Sequence, residues 1–451
     1  MSRCTSHSTT SHNVTTNSST TNSSTSAFGS RRRTLGVAGA GVVLAIALSG
    51  CSTPDADAGS ASGDVTVTFM EAMSSGALKP SLEAATARFE ADNPGITVEL
   101  IEQPDYGTLF TKIESSVAAG AAPTIAQVNA AWAVTLADSD VILPLDDRVA
   151  GSATYDSFYD GIKNDMTLVD GQNWMWPFNK SLYVQYFNSN LVADAPSTWT
   201  EFATTARDVS TDGVVAVSTD PGGASGIGQG SELVGMIAES NGGSMFDDEG
   251  VPTFTDPEVI SALEYLVGLQ ADGALAAGTN YPGQQALGAE KGAFDLSTVA
   301  SYQYNLAAVD GKFEMGVATL PEGTEGASNA LSGTNIAMFA DATDAEQDAA
   351  WQYMEFLASS AETAEWAAAT GYLPVTPDAI DEPVYADYIA SNPWVSDVIA
   401  QLDIAVRPTP RPWTTDSLSI FAAMVSEALA GASTPADALE RAQDAALALV
   451  K

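Results

Sequence analysis

Downstream of Cys51 the chain has no histidine and no further cysteine; its two histidines are His7 and His12, and its two cysteines are Cys4 and Cys51. Cys/His dyads, Ser-His-Asp triads, most zinc sites and disulfides within the body are thereby excluded. Paired carboxylates can hydrolyse glycosidic bonds, but among 57 acidic residues no Asp/Glu pair stands out by motif. Aromatic rings can stack on the C–H faces of a small molecule, and amides, hydroxyls and charges can satisfy its polar groups, since an unpaired buried polar group costs ~1–3 kcal/mol. By type and loop position the candidates are Met70 and Glu71 after a first strand, and Asn129 and Trp132 after a third. Trp174 and Trp176 stand ahead of Pro177, with local packing as their other reading. Arg407, Arg411 and Trp413 fall in a Pro-broken loop before the last long helix.

The elements that must position these residues follow from periodicity. Val65–Phe69 alternates and is β-rich; Pro80–Glu90 has helical spacing at Leu82, Ala85 and Phe89. A turn at Asn93-Pro94-Gly95 leads to a strand at Ile96–Leu100, a helix at Tyr106–Ala119 and a strand at Pro123–Val128. This β-α-β-α-β order predicts an α/β lobe with a largely parallel sheet, whose ligands meet the loops at the carboxyl ends of the strands. Further strands are expected at 184–187, 214–217, 313–317 and 334–339. Helices are expected at 199–209 (capped by Ser197 or Thr198), 231–240, 256–270, 344–358, 361–369, 385–390 and 417–430. There is no internal repeat.

With 451 residues the chain is long for one core and comfortable for two. All 57 acidic residues follow Gly50, against 13 basic ones, which are the 17 of the chain less Arg3 and Arg31 to Arg33. Such a field repels nucleic-acid phosphates and anionic lipid headgroups, so no nucleic-acid role is expected. Solubility at a cell surface, or adaptation to salt, accounts for the acidity.

Residues 1–30 are mostly Ser, Thr and Asn and read as disordered, or as the product of a start site placed too early. Arg31-Arg32-Arg33 then precedes an uncharged apolar run, Thr34 to Gly50, so that 1–50 reads as a secretory signal segment. The run is short for a membrane span. It ends Leu48-Ser49-Gly50-Cys51, which resembles a bacterial lipobox with Cys51 as the lipidated residue. Two or three acyl chains would hold the protein at the outer face of the cell membrane. Residues 51–63 then form a flexible tether. The arginines weakly resemble a twin-arginine signal, and the export route stays open.

Several segments carry a wider resemblance. They are Pro123–Val128, Pro177-Phe178-Asn179-Lys180-Ser181 with Tyr186-Phe187-Asn188, Asn241-Gly242-Gly243, and Lys312 to Pro321. Trp351–Leu357, Glu365-Trp366 and Thr370-Gly371-Tyr372-Leu373-Pro374-Val375-Thr376 complete the set. In this order they resemble the extracellular solute-binding proteins of carbohydrate-type ABC importers (family 1), nearest the glycerol-3-phosphate-binding branch. The resemblance implies a two-lobed periplasmic-binding-protein-like fold (type II) with discontinuous lobes joined by crossover strands. One lobe is expected at 64–181 plus 333–373, and the other at 182–332 plus 374–451. It also nominates Tyr106, Ser181, Gly333 and Tyr372 as ligand contacts, and the loop bearing Arg411 and Trp413.

Three departures bear on the ligand. The branch has an Arg-Gly pair where this chain reads Arg411-Pro412-Trp413, an acid where it has Ala130, and a Trp near 222–230 where it has none. The expectation is therefore a monomeric binding lipoprotein, without catalytic residues, metal or cofactor. It would capture a sugar, oligosaccharide or polyol and deliver it to the transmembrane permease subunits. Glycerol 3-phosphate or a glycerophosphodiester is the alternative ligand; a sensory lipoprotein and an extracellular hydrolase are lesser alternatives.

Overall fold

The computed structural model describes residues 64–222 and 229–450, so the signal segment, Cys51 and the tether lie outside the described residues. The strands are β1 (Val65–Glu71), β2 (Ile96–Glu102), β3 (Ile125–Val128), β4 (Trp176–Ser181), β5 (Tyr183–Asn188), β6 (Val217–Thr219), β7 (Leu275–Ala277), β8 (Phe294–Thr298), β9 (Met315–Thr319), β10 (Asn329–Ala330), β11 (Ser332–Met338) and β12 (Ala405–Val406). Two 5-stranded sheets result, ordered β2-β1-β3-β11-β4 and β7-β6-β8-β5-β9. Helices pack against each, giving a two-lobed α/β fold.

The first sheet grows as its sequence dictates. The alternation of β1 buries Val67 and Phe69, while the helix Leu78–Asp92 returns Leu82, Ala85 and Phe89 onto it. Phe69 meets Phe178 and Tyr353 edge-on, with centroids 6.0 and 6.2 Å apart. Burying each such ring is worth roughly 1.5–3 kcal/mol. The β1/β2 and β1/β3 pairings are parallel, as expected. β11 then enters antiparallel between β3 and β4, so the parallel character is confined to the first three strands.

In the second sheet β6 pairs in parallel with β7 and β8, while β5 pairs antiparallel with β8 and β9. The strand expected at 214–217 begins only at Val217. Asp212 and Gly213 take left-handed backbone conformations (φ 53° and 84°) and turn the chain there. β7 and β8 escaped the sequence reading, and β8 hides its strand character behind the buried Asp295 and Ser297.

The lobes are joined at closely spaced crossings. Buried Leu182 alone separates β4 from β5, and Leu331 alone separates β10 from β11. Asn329 ties the two crossings together: its Oδ1 accepts from the Tyr183 backbone N–H and its Nδ2 donates to the Tyr183 carbonyl, both at 2.8 Å. β12 pairs in parallel with β10. The helix Pro383–Ser391, which the sequence reading grouped with the second lobe, contributes Tyr385 to a small core with Ala364 and Ala367 of the helix Ser360–Thr370.

Candidate ligand-binding site

At the carboxyl ends of β1 and β3 the first lobe builds a buried amide and hydroxyl network. The Gln127 side chain accepts from the Ala72 N–H at 2.7 Å and donates to the Thr334 hydroxyl at 2.9 Å and to Asn179 Oδ1 at 3.2 Å. Asn179 Oδ1 also accepts from the Thr334 backbone N–H (3.2 Å) and hydroxyl (2.5 Å). Its Nδ2 donates to the Tyr106 hydroxyl at 2.9 Å, and Tyr372 lies close enough to influence the ionisation of that hydroxyl. The Tyr372 ring stacks on Trp366 with centroids 6.1 Å apart. Burial raises the pKa of Tyr106, and raises that of Tyr372 well above 10. Both are neutral phenols at physiological pH. The structure thus brings together Tyr106 and Tyr372, which the sequence nominated, through Gln127, Asn179 and Thr334, which it did not. Polar residues inside otherwise apolar, fully buried strands were the available signal: β3 reads Ile-Ala-Gln-Val, and β4 is buried throughout.

The second lobe reaches across to this network. Tyr304, in the helix Tyr302–Val309, places its hydroxyl 3.0 Å from Ser75 Oγ and donates to the Ser75 carbonyl at 3.3 Å. Gly76 (φ +57°) lets the chain pass, since a Cβ there would sit 2.8 Å from that hydroxyl. Near the crossings the Tyr183 hydroxyl donates to Glu232, whose carboxyl burial pushes up to about 7. Burial also lifts Glu239 to about 7, and Ser328 donates to it.

The other nominated residues have local partners. Ser181 ends β4 opposite Ser332. Gly333 (φ 99°) lies against β4, where an added Cβ would fall 1.8 Å from the Asn179 carbonyl oxygen. Asn129 caps the helix Ala130–Asp138 by accepting from the Trp132 N–H at 2.9 Å, and Trp132 stacks on Phe110 at 4.7 Å. Met70 packs with Leu109 and Ile113. Glu71 is buried and accepts from the Met73 N–H beneath the loop that follows β1. Trp174 donates to Asp170 (2.9 Å), and Trp176 is buried, donating to the Met354 carbonyl (2.8 Å). Arg411 and Trp413 donate to the carbonyls of Glu249 (2.7 Å) and Gly250 (2.8 Å), which ties the loop to the second lobe.

Arg407 belongs to the first lobe's side of the hinge. Its Nε lies 2.8 Å from Asp165 Oδ1, and its NH2 group donates to the carbonyls of Asn164 (2.7 Å) and Thr167 (2.9 Å). Asp165 also pairs with Lys180 at 2.5 Å and accepts from Asn335 at 2.7 Å. Burial alone would raise the Asp165 carboxyl, but Lys180, Arg407 and these hydrogen bonds prevail and hold it at about 2. A hollow of about 410 Å³ adjoins Arg407, lined in part by Asn164, Leu331 and Pro408.

The family model of bacterial extracellular solute-binding proteins matches residues 84–393. The sn-glycerol-3-phosphate-binding periplasmic protein UgpB of Escherichia coli (strain K12) is 24% identical over 422 residues, covering 85% of this chain and 92% of that protein. The cyclic alpha-maltosyl-1,6-maltose binding protein from Arthrobacter globiformis superposes with a TM-score of 0.74 at 23% identity, covering 86% of this chain and 99% of that one. UgpB from Mycobacterium tuberculosis, solved in complex with glycerophosphocholine, superposes with a TM-score of 0.76 at 20% identity, again covering 86% and 99%.

Proposed function

The chain belongs to the bacterial extracellular solute-binding proteins, and on that footing we propose that it captures a sugar, oligosaccharide or polyol and releases it unchanged to an ABC permease. The observation that carries this reading is the network in which Tyr106, Asn179 and Thr334 of one lobe join through Gln127 to Ala72, in the loop whose Ser75 is touched by Tyr304 of the other lobe. Rings and neutral hydrogen-bonding groups suit a molecule that is apolar on its faces and polar at its edges. Thermal-shift screening against maltose, maltotriose, ribitol, glycerol 3-phosphate and glycerophosphocholine tests it, followed by calorimetry. A bound ligand at a thousand times its dissociation constant adds ~4 kcal/mol of stability. Tyr372→Ala should weaken binding by ~1–3 kcal/mol; unchanged affinity would return Tyr372 to the core.

The phosphate-type ligand is kept as a second reading because the E. coli relative, whose match covers 85% of the chain, binds sn-glycerol 3-phosphate. We further assign the lobes to 64–181 with 333–373 and 182–332 with 374–451, apart from the helix Pro383–Ser391 and Arg407, which pack on the first lobe, with closure on the ligand through the crossings at Leu182 and Leu331. Compaction in X-ray scattering on addition of the ligand is the expected result, and an unaltered profile with ligand bound contradicts it. Ser181, Gly333, Asn129, Trp132, Glu71, Arg411 and Trp413 remain in the proposed site, each to be judged by substitution. Lipid anchoring at Cys51 of a monomer on the extracellular face completes the reading. Cys51→Ala should then release the protein or leave an uncleaved precursor.

A further inference from the structure

One helix grips both crossings on their second-lobe side. Glu232 and Glu239 of the helix Gln229–Ser240 are two turns apart, so they share a face at a spacing of about 10 Å along its axis. Glu232 accepts from the hydroxyl of Tyr183, the first residue of β5 after the crossing at Leu182. Glu239 accepts at 3.2 Å from the hydroxyl of Ser328, which stands directly ahead of β10 and the crossing at Leu331. Asn329 closes the ring. It follows Ser328 in the chain, binds both backbone groups of Tyr183, and donates at 2.9 Å to Gln401 Oε1, in the segment that leads to β12.

Among the described residues no cation faces either carboxyl. The helix packs against the helices Pro257–Ala271 and Thr414–Leu429 and against β10. The ionisable side chains of those elements, Glu258, Glu264, Tyr265, Asp416 and Glu427, exert no charge effect on Glu232 or Glu239, and Tyr183 and Ser328 are the groups that face them. Glu325, on the loop that leads to Ser328, meets the helix through its backbone N–H, at the Ser240 carbonyl. Desolvation pushes both carboxyls up to about 7, at Glu239 against the bond from Ser328. Each is therefore largely protonated in mildly acid medium and ionised above neutrality. A hydroxyl donor holds an anion more firmly than a neutral acid, but a desolvated anion without a counter-charge turns to water. Both side chains are half-buried, so that route is open to them.

Building on the reading of two lobes that close on a solute, we infer that Glu232 and Glu239 are a proton-operated brace on the hinge. Protonated, they hold the second-lobe ends of both crossings on one helix; ionised, they swing toward solvent and let go. Asn329 spreads the release, because it ties Tyr183 to the segment bearing Gln401. The lobes then move more freely in neutral and alkaline medium than in acid. A brace that needed packing alone would carry apolar side chains at these two positions, as the buried Leu233, Val234, Met236 and Ile237 of the same helix do.

The test is amide hydrogen exchange on the full chain without solute, at about pH 5.5 and about pH 8.5, read as protection relative to the intrinsic rate at each pH. In the unmodified protein, protection of segments 182–184 and 328–332 should fall at least about tenfold between the two conditions. In the double variant Glu232→Gln/Glu239→Gln, which keeps the neutral form throughout, it should stay within about threefold. Tyr183→Phe/Ser328→Ala should already be as poorly protected in acid as the unmodified protein is in alkali. Infrared spectroscopy gives a readout that does not depend on a folded double variant. The C=O bands of protonated carboxyls that each single Glu→Gln variant removes should vanish from the unmodified protein as pH rises. Protection indifferent to pH, an equal fall in the Gln double variant, full protection in acid without the two hydroxyls, or bands that persist in alkali each overturn the brace. No solute enters these measurements, so their failure leaves the solute-binding reading standing, whereas a screen in which no solute binds strikes that reading and not the brace.

Discussion

Replacing Asp165 by Asn should be among the most damaging single changes to the first lobe. Asp165 and Lys180 are 6% and 1% exposed, and the carboxylate is shared between Lys180 at 2.5 Å and Arg407 at 2.8 Å. Removing it strands two cations in a largely dehydrated site, for which ~3–5 kcal/mol is the usual penalty. Lys180, whose proton affinity burial already lowers, can shed its proton in the variant, which draws the loss toward the lower end. The wild-type pH dependence gives an independent figure. The carboxyl is held at about 2, below its ordinary 3.8, so its contribution is fully present above pH 3.8 and lost as pH falls through 2. That difference corresponds to about 2 kcal/mol. Urea unfolding followed by tryptophan fluorescence at pH 7 measures the first quantity, and the same measurement at pH 3, midway through the titration, recovers about half of the second. The double variant Asp165→Asn/Lys180→Met should recover most of the loss, because it removes the stranded charge with its partner. A single-variant loss under ~1 kcal/mol, or a double variant no more stable than the single, would refute the idea that charge pairing holds this junction.

Glu232 predicts the opposite pH trend. Burial lifts its folded-state pKa from 4.5 to about 7, so the folded protein keeps a proton that the unfolded chain has lost. Stability should fall by up to about 3 kcal/mol as pH rises from 4.5 to 7 and level off above; a Glu232→Gln variant with the same slope in a melting series rules this out. Gly333→Ala combines a left-handed φ with a Cβ 1.8 Å from the Asn179 carbonyl oxygen. It should cost ~3 kcal/mol or more by displacing β11 from β4, and an unchanged melting temperature would count against that packing. Asn129→Ala should cost ~1 kcal/mol through its lost cap and, as a member of the proposed site, weaken solute binding as well. Asn129→Asp, which keeps the cap, should restore melting but not binding, and affinity unchanged in both variants leaves Asn129 as a cap alone.

Periodicity reached the framework of the first lobe because β1, β2 and the helices Leu78–Asp92 and Tyr106–Ala118 are amphipathic and local. It failed at β8, where a central strand reading Phe-Asp-Leu-Ser-Thr buries Asp295 against Ser297 and Asn305. Those partners come from the tertiary fold and leave no trace in a local window. The site divides the same way. Tyr106 and Tyr372 were legible through the family resemblance, but Gln127, Asn179 and Thr334, the groups around Tyr106, lie far apart in the chain and meet only where β3, β11 and β4 lie side by side. Asn129 and Trp132 were attractive by type and loop position, yet a side chain at a helix start often serves the helix itself, and the cap bond to Trp132 does so here.

The place of β11 has a consequence for how the protein comes into being. Until residues 332–338 have been made, β3 and β4 lack the neighbour that both will share, and the first sheet is two fragments with open edges. Half-built sheets of this kind invite pairing with other chains. A nascent chain therefore cannot complete its amino-terminal half early in synthesis, and remains unfinished there until about three-quarters of its length exists. For a polypeptide destined to cross a membrane this delay favours passage in the unfolded form, and it leaves the long interval before β11 arrives to be covered by chaperones.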